Sequence, residues 1–103
     1  MYVGMTTTKG TDDDMVGLAR ISGETMAPWL REIEGFAGLV MLSSQETGVT
    51  HVLTFWESRE VAEKHREARR SLRDRITATV DVEVLGTEEY EVAFADLPAV
   101  SSS

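Results

Sequence analysis

Phe36 to Ser44 reads FAGLVMLSS, Gln45 to Gly48 reads QETG, and Val49 to Trp56 reads VTHVLTFW. Two runs of strand length, rich in β-branched and aromatic residues and joined by a short turn ending in glycine, predict a β-hairpin with a four-residue loop or a bulge. Alternation places Leu39 and Met41 on one face and Val40 and Leu42 on the other, while Val52 and Trp56 oppose Leu53 and Phe55. A hairpin covered by helices on one side only shows polar residues on its other side. Here both faces are apolar, and the second is an expected subunit interface.

Outward from the hairpin, Met1 to Thr8 reads as a strand closed by Lys9-Gly10, and Thr11 before Asp12, Asp13 and Asp14 reads as a helix N-cap followed by carboxylates in the first turn. Met15, Leu18, Ser22, Met26, Trp29 and Ile33 then recur at helical spacing. Pro28 predicts a kink near Ala27 or two shorter helices. Beyond the hairpin, Ser58 is placed to cap a second helix whose inward stripe is Val61, His65, Ala68, Leu72 and Ile76. The arginines and glutamates between them read as a solvated, ion-paired face. Thr79 to Phe94 alternates again, as one long strand with a bulge at Gly86 or as two short strands.

The order strand, helix, strand, strand, helix, strand is the ferredoxin-like βαββαβ arrangement, an α+β class with an antiparallel sheet and two helices on one face. One domain is expected over residues 1–96, with a disordered tail over 97–103.

Composition removes several function classes. Eighteen acidic against ten basic residues give a net charge of −8, which disfavours nucleic acid and anionic membrane surfaces as partners. With no cysteine there is no disulfide or thiolate chemistry, and two histidines supply a metal site poorly, so no metal is expected. Met1-Tyr2-Val3-Gly4 has no secretory pattern and no apolar run reaches membrane length, so a cytoplasmic location is the expectation.

Two stretches carry a family likeness. Glu34-Gly35-Phe36-Ala37-Gly38 before the hairpin, and Thr54-Phe55-Trp56-Glu57-Ser58 leading into the second helix, resemble the antibiotic-biosynthesis-monooxygenase family of dimeric α+β barrels, a likeness that extends from about Tyr2 to Phe94. The resemblance implies a homodimer with its sheets packed face to face, and a pocket in each subunit between sheet and helices. It also implies cofactor-independent oxygenation of a small aromatic or quinol-type compound. The heme-degrading branch of the superfamily is distinguished by an asparagine on the first strand, a tryptophan nine residues after that of Trp-Glu-Ser, and a histidine iron ligand some nine or ten residues later. This chain lacks the asparagine and has His65, then Asp74 and Arg75, at the other places.

His65 is the candidate base: it lies on the apolar stripe, and the resemblance points it into the pocket, where a neutral imidazole would deprotonate a phenol or hydroquinone. Trp29 and Trp56 offer flat surfaces for a planar ligand, Met26 a soft wall, Thr6 a hydroxyl and Tyr90 a phenol. His51 would face either the pocket or the partner's sheet. Two other readings stay open, a non-catalytic dimeric module that binds a small ligand and an isomerase or cyclase on the same scaffold. No cofactor is expected in any of the three.

Overall fold

The hairpin forms where alternation places it, as Phe36–Ser43 and Val49–Trp56, within a four-stranded sheet of a computed structural model that describes residues 1–80 and 82–97. In chain order the elements are β1 (Tyr2–Gly10), α1 (Met15–Arg31), β2 (Phe36–Ser43), β3 (Val49–Trp56), α2 (Arg59–Lys64), α3 (Arg66–Thr79) and β4 (Val82–Glu91). The strands lie in the order β2-β3-β1-β4 and every neighbouring pair is antiparallel, which is the ferredoxin-like arrangement. Asp81 and the expected tail from 98 onward lie outside the described residues; Leu97 is exposed.

Register assigns the two faces. Opposite residues of an antiparallel pair share a face, so Leu39, Thr54, Gly4 and Glu89 form one row across the sheet and Met41, Val52, Thr6 and Thr87 the next. These rows face the helices: Met26, Leu30, Ala62 and Leu72 build the core with Trp56, and Tyr2, Phe36, Leu39, Met41 and Val52 pack against it. The other rows, including Val40 with Leu53 and Leu42 with His51, point away from it. Leu42 keeps 51 % of its surface exposed there, so this face is apolar without being core.

β4 is one strand, with its register against β1 shifting between Thr7 and Thr8, beside Gly86, as the bulge alternative required. Gly35 ends the loop before β2 at φ +91°, where a side chain would be strained and its Cβ would collide with Val61 of α2. Its carbonyl accepts from Glu57 N–H at 2.9 Å, which fixes the approach of β3 to that loop. The Glu34-to-Gly38 motif is therefore a packing device at this end of the sheet.

Three helix expectations change. The N-cap of α1 is Asp14, whose Oδ1 accepts from Gly17 N–H at 3.0 Å, and Thr11 precedes the helix instead of capping it. Gln45, from the hairpin turn, adds a second cap by accepting from Met15 N–H through Oε1. α1 also continues through Pro28 to Arg31 as a single helix. Proline removes one hydrogen bond, and the burial of Met26 and Leu30 on either side of it, together with Ile33 N–H donating to Leu30 at 3.0 Å, holds the last turn. The second helix, expected in one piece, is divided at His65, whose φ −104° and ψ 19° leave the helical region; Ser58 caps its first part, with Val61 N–H donating to the hydroxyl.

Candidate functional site

Between the helix-facing side of the sheet and helices α1 and α3 lies a cavity of about 170 Å³. That is close to the roughly 150 Å³ engineered apolar cavity that takes up benzene, so the space suits one substituted aromatic ring or a compact bicycle. Its α1 wall is soft and apolar, through Met15, Leu18, Ala19, Met26 and Leu30, and Met41 and Val52 continue that surface on the sheet. Methionine adapts its shape to the molecule it packs against, which suits a wall that must accept a ligand.

The sheet wall also carries hydroxyls, from Thr6, Thr8, Thr50, Thr54 and Thr87. Several are already bonded within the protein. Thr50 and Ser43 hydroxyls lie 2.8 Å apart, Thr8 Oγ1 donates to Thr50 carbonyl at 3.5 Å, and Thr54 Oγ1 accepts from Trp56 Nε1–H at 3.2 Å. They brace the wall and leave it modestly polar.

The α3 wall is the part that sequence reasoning misassigned. Arg66, Arg69, Arg70 and Arg73, expected on a solvated face, all line the cavity. Their spacing of three, four and seven residues puts them on one side of a helix, and that regular spacing of like charges was the signal available in the sequence. Arg66 Nη1 pairs with Glu89 Oε2 at 3.1 Å, while Glu89 Oε1 is buried with no hydrogen-bond partner among the described residues. Arg73 Nε is buried and likewise makes no hydrogen bond, with Asp74 Oδ1 3.5 Å away.

Arg69 reaches inward. Its Nη1 donates to the Ala62 carbonyl at 2.6 Å, and its guanidinium lies 5.2 Å from the centre of the Trp56 ring. Gly4 makes room for it, since a Cβ at that position would stand 2.6 Å from Nη2. Burial pushes the Arg69 guanidinium below its usual range, Glu89 opposes that shift, and the charges of Arg66 and Arg73 add to it. It remains a cation at any working pH.

Of the residues expected at the site, Met26 and Thr6 line the cavity. The others lie elsewhere. Trp56 is completely buried in the core, edge-on to Phe36 at 5.6 Å, and His65 at the α2–α3 break stacks on it at 6.4 Å; neither ring lines the cavity. Trp29 is 40 % exposed and packs under Arg75, 4.7 Å from its ring, in a separate shallow groove with Ile33 and Ala68. His51 points to the open face of the sheet, where its Nδ1 lies 2.9 Å from Thr7 Oγ1. Tyr90 is exposed and bonded to Glu88, and that bond holds its phenol above the usual range.

Among the described residues no group of three or more histidine and carboxylate side chains could hold a metal ion, and no helix is long and apolar enough to cross a membrane.

No family model matches the chain, and no curated protein matches it in sequence. Solved structures do match. A protein of Deinococcus radiodurans assigned to the antibiotic biosynthesis monooxygenases superposes with a TM-score of 0.66 at 16% identity, over 93% of this chain and 96% of that one. The ActVA-Orf6 monooxygenase of Streptomyces coelicolor, in complex with nanaomycin D, gives 0.65 at 19% identity, over 95% and 92%. A protein of Nitrosomonas europaea with the same assignment as the first gives 0.63 at 14% identity, over 91% and 100%. The chain thus has the fold of antibiotic-biosynthesis-monooxygenase-type proteins along nearly its whole length.

Proposed function

We propose that this protein binds a small phenol- or quinol-type aromatic compound in the cavity beneath α1 and α3 and oxygenates it without a cofactor. The carrying observation is the cavity itself: a space of about 170 Å³ walled by methionines, threonines and a glutamate, Glu89, with one carboxylate oxygen paired to Arg66 and the other without a hydrogen bond among the described residues. The fold shared with a monooxygenase held in complex with nanaomycin D supports the same reading. In such a reaction the substrate supplies all the electrons. A naphthol and one O2 give a naphthoquinone and one water, after the phenol loses its proton and the electron-rich phenolate reacts with oxygen.

His65 lies outside the cavity lining, so in this reading the proton-accepting role falls to Glu89, whose Oε1 is free while Arg66 holds Oε2. Oxygen consumption with a panel of hydroxynaphthalenes tests it. One O2 is expected per quinone formed, with that rate lost in Glu89→Gln and kept within a few-fold in His65→Ala. Loss in His65→Ala with binding intact would return the base to His65. Because both histidines stand outside the cavity, a non-catalytic ligand-binding module is the second reading; tight binding across the panel with no oxygen uptake would establish it.

We also propose that a second copy of this chain covers the open sheet face, through Val40, Leu42, Leu53 and Phe55. The motive is an apolar face on the side of the sheet opposite the helices. Sedimentation at micromolar concentration showing only monomer would refute it.

A further inference from the structure

The cavity has two unlike ends. Around Met15, Leu18 and Met26 it is apolar, whereas α3 lines it with four arginines, and of the glutamates lining it only Glu89 lies in a sheet row that faces the helices. This excess of positive charge sits in a chain of net charge −8 that has only ten basic residues in all. The arginines are unequally committed. Arg66 is spent on Glu89, but Arg69 is half buried, beside the glycine that admits it, and among the described residues its guanidinium contacts a backbone carbonyl and an indole ring with no carboxylate in ion-pair range. A partly desolvated cation whose counter-charge, Glu89, is already paired with Arg66 is costly unless something else supplies negative charge at close range.

We infer that the Arg69 end of the cavity receives a carboxylate carried by the ligand, so that the preferred ligands are aromatic acids whose ring lies among the α1 methionines. This rests on the reading of the cavity as a ligand site and narrows its substrate class. A planar guanidinium held from behind by Ala62 and Trp56 presents its remaining N–H donors in the fork geometry that matches a carboxylate. Its lowered basicity has the same origin, desolvation that a bound anion would offset.

Calorimetric titration of the full chain with 2-naphthoate and with 2-naphthamide, a neutral analogue of nearly the same shape, tests the inference. Wild-type protein should favour 2-naphthoate by about tenfold, as a charge-assisted pair does, and added NaCl should weaken the naphthoate alone. Arg69→Met should bring the two affinities within about twofold while 2-naphthamide binding persists, and Arg69→Lys should recover part of the preference. Gly4→Ala, which crowds the guanidinium, should act in the direction of Arg69→Met. Equal wild-type affinities would overturn the inference and leave the cavity reading standing, with no variant needed. An undiminished preference in a folded Arg69→Met would also overturn it. If neither probe binds, the cavity reading itself falls and the inference with it.

Discussion

The two faces of this sheet divide their chemistry in the reverse of the usual way. In a two-layer α+β domain the helix-facing side is dry core and the other side is wet. Here the helix-facing rows carry threonines at positions 6, 8, 50 and 54 together with Glu89, whereas the face away from the helices presents Val40, Leu42, Leu53 and Phe55. The difference teaches that the helix-facing side does two jobs. Near Trp56 it is packed solid; toward Thr6, Thr8 and Thr50 it stands off from the helices and encloses a cavity that tolerates hydroxyls. The open face has no such excuse for its composition, and its apolar character points outward to another surface.

The largest effect should come from the packed end. Trp56→Ala removes a completely buried ring that touches Phe36, His65 and Arg69 at once, and aromatic-to-alanine changes in a core cost about 3–5 kcal/mol. Urea unfolding should show a loss of that order with little change in slope. Loss of under about 1 kcal/mol would mean that this end of the inner face is not the core. Next in size, Leu53→Asp on the open face should weaken self-association by about a hundredfold or more, equivalent to ~2.7 kcal/mol. Far-UV circular dichroism should stay as in the parent. If equilibrium sedimentation finds the same assembly before and after, the open face is not the interface.

How much of this contrast the sequence disclosed follows from the range of each signal. Strand alternation is local, so the assignment of Leu39, Met41, Val52 and Trp56 to one face and Val40, Leu42, Leu53 and Phe55 to the other could be made from adjacent residues, and the register agrees with it. Ser58 was legible for the same reason, as a cap three residues before the N–H it serves. The Gln45 cap was not, because it bridges 30 residues of chain. The break at His65 left no mark either: no glycine or proline signals it, and the expected stripe continues across it from Val61 to Leu72 and Ile76.

The arginines show why the site was the least legible part. An amphipathic helix defaults to a charged outer face, and only the space left between the sheet, α1 and α3, a property of the assembled fold, turns one edge of that face inward. Methionine and threonine placements were readable as wall candidates, since Met26 and Thr6 follow simple periodicity. His65 lies on the expected stripe too, but the helix break carries its ring onto Trp56 instead of into the cavity.

The smallest effects compare one substitution on the two faces. Thr50 is buried and its hydroxyl lies 2.8 Å from that of the partly buried Ser43, so Thr50→Val removes a hydrogen bond at a buried position and should cost about 1 kcal/mol. Thr7, on the neighbouring strand β1 and on the open side, bonds to His51 Nδ1 at 2.9 Å but both residues are only partly buried, so Thr7→Val leaves an imidazole that water can still satisfy. Its cost in the dissociated chain should be below about 0.5 kcal/mol. Denaturation of both variants across a range of protein concentrations sharpens the contrast. If a second copy covers the open face, the Thr7→Val penalty should grow as association is favoured, because water is then excluded from His51, whereas the Thr50→Val penalty should not change. A Thr7→Val penalty independent of concentration would place His51 outside any interface, even on a face that otherwise associates.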